Sequence, residues 1–451
     1  MSSESPKTTA EAGPARFELA LMALLVLSCS QVSYAVHKKD GPFIGAADVL
    51  CALLFVAWLH KVWRERRFRL VPLPTPEVWA LLVVGVLSLS RAMVAADGSL
   101  SLGGLKSGII EVGQLGLYFV AAFCMFADVF NTVAKLRRAC AVLLGATTAV
   151  VAWGLVDYFV ATQPAQVSAS FGNRNVYSAF LVMVMPLLVG LALHERNRTQ
   201  RRWVAVLCVA AVVTMVAPPH VWILTGLLLW IAYNRGGRFR AIYAPVLLLV
   251  VLAVNFGLPR NRETNVVELL DPYERGELYK LETGGESASA ANTLVIKKRW
   301  LEWQPALAMM SENLPLGVGA GGYQRNIGEV RYYGTLPNVK KSEPDTNNLY
   351  LVMGASMGFG ALVCLVALLV RYWRKAGMLW LRANSTTERG LAAGLPAAIV
   401  GIAVANIFSS LFVRGPGLIW AFILAATAVA AREGVAAARR RQSPREQPEQ
   451  P

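Results

Sequence analysis

Residues 240–265 read RAIYAPVLLLVVLAVNFGLPRNRETN. An apolar run fills the stretch to Leu258, then the chain turns polar at Pro259 and stays so to Thr346, a stretch of 88 residues. Apolar runs of roughly 18 residues with few charges are long enough to cross the hydrocarbon layer as helices. Such runs recur on both sides of the polar stretch, at about 17–36, 43–60, 77–96, 102–127, 138–161, 174–193, 202–217, 219–233, 240–258, 347–370, 390–412 and 416–431. The expected fold is an all-α integral membrane protein with about 12 transmembrane helices and one large outward-facing loop between spans 9 and 10. Residues 1–16 form an N-terminal tail, 17–258 spans 1–9, 259–346 the loop, 347–431 spans 10–12, and 432–451 a basic, Pro-rich tail.

Composition agrees. The chain is 55% hydrophobic and 16% charged, with a mean hydropathy of +0.46, against about 25% charged for soluble domains. Its net charge of +16 sits in short clusters between spans, which excludes a nucleic-acid surface and suits cytoplasmic loops facing anionic lipid. Lys61, Arg64, Arg66, Arg67 and Arg69 occupy one such loop, and Lys135, Arg137, Arg138, Arg196, Arg198, Arg201 and Arg202 occupy the next two on that side. The opposite short loops hold only Lys38, Lys39 and Arg414. Both termini are therefore expected in the cytoplasm and the long loop outside. This alternation requires Pro218-Pro219 to separate two spans. The six cysteines all lie in apolar runs, so neither a disulfide framework nor a thiolate metal site is expected.

Ionisable residues inside spans are costly and mark cavities or buried pairs. Asp48, Arg91, Lys106, Glu111 and Asp157, with Arg174, His220 and Arg414 at span ends, fall toward the outer half. They predict either a polar chamber open to the outside or internal pairing such as Arg91 with Glu111. No internal repeat and no pair of interrupted spans is visible, which counts against a secondary transporter.

Within the loop, Gly284 to Ala290 reads as a linker and Leu294 to Met310 as an amphipathic helix. Trp300, Trp303, Leu307 and Met310 make the apolar stripe of that helix, which suits the membrane surface. Arg299 shares a face with Trp303, and a guanidinium grips phosphate oxygens in a two-bond fork. The turn Pro315-Leu316-Gly317-Val318-Gly319-Ala320-Gly321-Gly322 is either an anion cradle of backbone N–H groups or a tight turn of close chain approach. Glu343 and Asp345 stand before the tenth span as helix-start acids or as a general base.

Together, Arg299-x-x-x-Trp303, Pro315-x-x-Gly317-x-Gly319-x-x-x-Tyr323, Asn347-Asn348-Leu349-Tyr350-Leu351 with Gly358, and upstream Phe171-Gly172-Asn173-Arg174-Asn175 resemble the O-antigen ligase and O-antigen polymerase superfamily. The resemblance covers roughly Phe171 to Val370. It implies a bacterial inner-membrane glycosyltransferase with a periplasmic loop. The donor would be an undecaprenyl-diphosphate-linked glycan, and the acceptor lipid A core, a glycan or a protein. The reaction would use no metal or other cofactor. By position, Arg299 would bind the diphosphate, assisted by Arg174. Trp303, Gly317, Gly319, Arg325, Asn348 and Tyr350 would line the donor and acceptor sites. The family's loop ends in His-Asn where this chain has Asn347-Asn348, and an amide cannot take up a proton at neutral pH. Glu343, Asp345 or the outward His220 would then act as base. The alternative is a non-catalytic relative that binds lipid-linked glycan or scaffolds polysaccharide assembly.

Overall fold

The computed structural model describes residues 16–30, 44–94, 100–162, 167–195, 197–235, 244–258, 303–326, 348–410 and 415–442. These residues form helices and their connections, with one isolated β-bridge between Val94 and Leu100. The helices are α1 (Arg16–Ser28), α2 (Ala46–Arg64), α3 (Pro76–Ala92), α4 (Leu102–Val129), α5 (Val133–Val160), α6 (Arg174–His194), α7 (Arg198–Thr214), α8 (Pro218–Arg235), α9 (Ala244–Gly257), α10 (303–312), α11 (Leu349–Met357), α12 (Phe359–Gly377), α13 (Thr386–Ala405) and α14 (Pro416–Gln442).

Local chemistry sets the helix starts. Asn173 caps α6 by accepting the N–H of Asn175 at 2.8 Å, and Ser385 with Glu388 forms a reciprocal capping box on α13. Pro76 and Pro218 sit at first helical positions, where their missing N–H costs nothing. Pro218 thus opens α8 after α7 has ended at Thr214, so the double proline separates two helices. Within α4, residues Leu117–Ala122 form a π-helical turn.

Among the described residues, α2, α4, α5, α6, α13 and the first 21 residues of α14 are long and apolar enough to cross a membrane. Large apolar side chains such as Leu53, Val56, Val83 and Phe159 face outward, and an apolar exterior of this extent suits lipid. A helix falls on every one of the expected spans, with the tenth divided into α11 and α12 at Gly358. The sequence suggested no interrupted span. Gly358 adopts a φ of +86°, and a Cβ there would lie 1.7 Å from the Pro315 carbonyl oxygen. The break exists because another backbone segment occupies that position.

The centre is α6, whose apolar stretch is 83% buried against 28% for α2. It crosses α13 at glycines: a Cβ on Gly190 would lie 2.6 Å from the Cα of Gly394. Small residues let the two backbones touch, the usual means of packing helices where lipid removes the hydrophobic drive. Asp48 accepts the Tyr118 hydroxyl at 2.5 Å and the Gly45 N–H at 2.8 Å, while Asp157 accepts the Ala169 N–H at 2.8 Å. Both acids are partnered inside the bundle. The six cysteines are free thiols, five of them buried.

Candidate functional site

The Gly-rich turn wedges into the bundle. Gly317, Gly319 and Gly321 have φ of +67°, +99° and +67°. A Cβ on each would lie 2.3 Å from the Ala355 oxygen, 2.3 Å from the Ala92 nitrogen and 2.6 Å from the Ser107 carbonyl carbon. The turn therefore lies between the end of α3, the first turns of α4 and the α11–α12 junction. Only glycine allows both the left-handed backbone and this approach.

Four of its N–H groups are taken up internally. Gly317 donates to the Asn313 carbonyl at 2.8 Å, Val318 to Ala355 at 2.8 Å and Gly322 to Gly319 at 2.8 Å. Gly321 donates to the Glu111 carboxylate. Of the two sequence readings, close chain approach is what the geometry displays. The acceptor is the protein's own Glu111 carboxyl oxygen, which has a backbone partner in place of the expected Arg91–Glu111 pair.

Helix α10 docks over this turn. Ala306 and Met309 are wholly buried with Val318, Tyr323 and Ala355, and Met310 seats over Gly354. Leu307 is 39% exposed and Trp303, at the helix start, is half-buried. The face packed on the bundle is Ala306–Met309–Met310, which shares Met310 with the expected Trp303–Leu307–Met310 stripe, while Leu307 stays on the exterior.

A second cluster forms around the end of α13. Leu349 donates its N–H to the Asn406 carbonyl at 2.9 Å, and the Tyr350 hydroxyl donates to the Ala403 carbonyl at 2.7 Å. Asn348 caps α11, its side-chain oxygen accepting the Leu351 N–H at 3.1 Å. His220, at the start of α8 and fully buried, places Nε2 2.9 Å from Ser409 Oγ, and Ser409 donates to the Asn175 carbonyl at 3.2 Å. The one hydroxyl proton of Ser409 goes to Asn175, so His220 Nε2–H is the donor to Ser409 Oγ. This chain of bonds ties α8 and α13 to the first turn of α6, where Arg174 is half-buried. Ser170 anchors the preceding turn by donating to the Cys29 carbonyl at 2.8 Å.

Arg174, His220, Asn348 and Tyr350 therefore lie on elements joined through Ala403–Ser409, and α11 connects them to the turn holding Gly317 and Gly319. Arg299, Glu343, Asp345 and Asn347 lie outside the described residues, as do Trp300, the Gly284–Ala290 linker and the Arg325 side chain. Asn406 and Ser409 were not singled out from sequence, and Asn175 entered only within the Phe171–Asn175 motif. Their signal was present as polar residues closing apolar spans. Two cavities, one beside His194 and Thr386 and one between Trp230, Arg374 and Pro396, lie at the other end of the bundle. Among the described residues no three His, Cys, Asp or Glu side chains converge as metal ligands.

No protein-family model and no curated protein sequence matches this chain.

Proposed function

We propose that this chain is a membrane glycosyltransferase of the O-antigen ligase type. It takes a glycan from an undecaprenyl-diphosphate carrier and passes it to a lipid A core, a glycan or a protein. In this reading it sits in a bacterial inner membrane with twelve spans, both termini cytoplasmic and the 259–346 loop periplasmic. The observation that carries the reading is the convergence of motifs far apart in sequence: the Asn173–Asn175 turn, the Gly317–Gly321 turn and the Asn348–Tyr350 segment share one end of the bundle.

The chemistry assigns roles to the chain's own groups. Arg299, with Arg174 assisting, holds the diphosphate by charge-assisted hydrogen bonds. An acceptor hydroxyl attacks the anomeric carbon, the bond to the diphosphate oxygen breaks, and polyprenyl diphosphate leaves. Glu343 or Asp345 accepts the hydroxyl proton. His220 has no exposed surface and contacts Ser409 and Phe408, which supports a positioning role: it holds the first turn of α6 and hence Arg174.

The test is purified full-length protein given a polyprenyl-diphosphate glycan and an acceptor. Release of polyprenyl diphosphate together with elongated acceptor is expected, and Arg299→Lys should lower it at least about tenfold because a point charge does not replace a fork. Full transfer by Arg299→Lys would remove the fork. Donor binding without release would favour the second reading, a non-catalytic glycan carrier, which Asn347 in place of an imidazole supports.

A further inference from the structure

A groove of about 820 Å³ opens at the opposite end, between α8, α12 and α13. Its size falls in the roughly 300–1,000 Å³ range of small-ligand sites. We propose that it binds one anionic phospholipid, with the phosphate at its mouth and an acyl chain along its floor. This rests on the chemistry of the groove and is independent of the transferase reading.

Asn234 and Arg374, in the last turns of α8 and α12, and Trp380 mark its mouth; Trp230 and Trp373 also line it, and Ala393 and Pro396 lie deeper along α13. Pro396 lies ten residues into α13 from Thr386, about 15 Å at 1.5 Å per residue. That depth is half of the ~30 Å hydrocarbon layer, the reach of one leaflet's acyl chain. Tryptophans at one level suit the headgroup boundary, where the ring is buried and the N–H is wet. Trp380 is set edge-on against His194, with ring centres 6.1 Å apart.

The charge at the mouth selects the headgroup. No Asp or Glu lies among the lining residues. Arg371 on the same helix pairs with Glu77 at 2.7 Å, and Lys375 sits over the Tyr372 ring at 5.6 Å. Arg374 is the guanidinium on the groove wall, and its fork matches a phosphate diester. This end also carries the basic loops that attract anionic lipid.

Native mass spectrometry of the full chain, in micelles doped with equal mole fractions of phosphatidylglycerol and phosphatidylethanolamine, tests the proposal. Both lipids offer a phosphate diester, but the ammonium of phosphatidylethanolamine cancels its charge and is repelled by Arg374, so retained phosphatidylglycerol should exceed it by about tenfold. Arg374→Gln should bring the two toward parity. Arg64→Gln, which removes an exposed basic residue at the same end on α2, should leave the ratio unchanged. Ala393→Leu, which fills the floor, should lower retention of phosphatidylglycerol. Equal retention by the unaltered chain would overturn the proposal. So would an Arg374→Gln ratio matching wild type, or an equal effect of Arg64→Gln.

Discussion

Replacing Gly319 by alanine tests whether the turn is wedged into the bundle. Its φ of +99° and the 2.3 and 2.6 Å distances from a Cβ to the N and Cα of Ala92 leave no room for a methyl group. Both obstacles are backbone, so no side chain can rotate aside. Ordinary carbon contacts lie at roughly 3.5–4.0 Å, so the turn must retreat by about 1 Å. A retreat of that size breaks the 2.8 Å bond from Val318 to Ala355 and loosens the Gly321–Glu111 contact. The left-handed backbone costs about 1–2 kcal/mol and each of the two stranded donors about 1–3 kcal/mol, together about 3–8 kcal/mol. Many domains have a total stability of only about 5–15 kcal/mol. Gly113→Ala is the control: it lies in α4 with nothing within 4 Å of its Cβ, and alanine there should gain about 0.5–1 kcal/mol. Thermal unfolding in one detergent, followed by near-ultraviolet circular dichroism, should show Gly319→Ala melting well below wild type and Gly113→Ala no lower than wild type. A Gly319→Ala chain that melts with wild type would refute the wedge.

Three further outcomes are expected. His220→Ala should abolish transfer, whereas His220→Gln, whose amide can still donate to Ser409, should retain most of it; loss in both would make His220 the base instead of a positioning group. Glu111→Gln keeps an acceptor for Gly321 and should preserve resistance to limited proteolysis in 303–326, while Glu111→Leu should increase cleavage there. Ser311 is exposed on α10 and five of the six native cysteines are buried, so Ser311→Cys should react with an impermeant maleimide in spheroplasts. Labelling of Ser311→Cys only after lysis would put the loop in the cytoplasm and end the transferase reading.

The helices were legible because each apolar run must satisfy its own backbone hydrogen bonds in lipid, which leaves helix as its one local solution. The separation of α7 from α8 was legible for the same local reason, since Pro218 starts a helix more readily than it continues one. The break at Gly358 was not, because its cause is the carbonyl of Pro315, 43 residues earlier in the chain. The partner of Glu111 escaped for a related reason: sequence offered charged candidates such as Arg91, and the structure supplies a backbone N–H. The second face of α10, Ala306 with Met309, was not legible because burial follows the shape of the facing surface, and Gly354 makes room for Met310. At the candidate site, the family resemblance pointed to Asn348 and Tyr350, and the scarcity of histidine pointed to His220. The residues that gather them, Asn406 and Ser409, are small and sit in an apolar context that hides them.

The wedge also separates geometry from topology. Glu111 lies nine residues into α4, about 14 Å along the helix axis, and the Gly321 N–H reaches it there. Irregular backbone at such depth is tolerated only where protein covers it and its polar groups are met internally. The bonds of Gly317, Val318, Gly321 and Gly322 satisfy that condition. The turn is thus part of the bundle and must lie on the same side as the α3–α4 connection. Through α11 and the end of α13 that side is shared by the starts of α6 and α8. The convergence of Arg174, His220, Gly317, Gly319, Asn348 and Tyr350 consequently holds in either membrane orientation. Orientation decides only which compartment supplies the substrate, and a carrier-linked glycan is available to this site if the shared side is the periplasmic one.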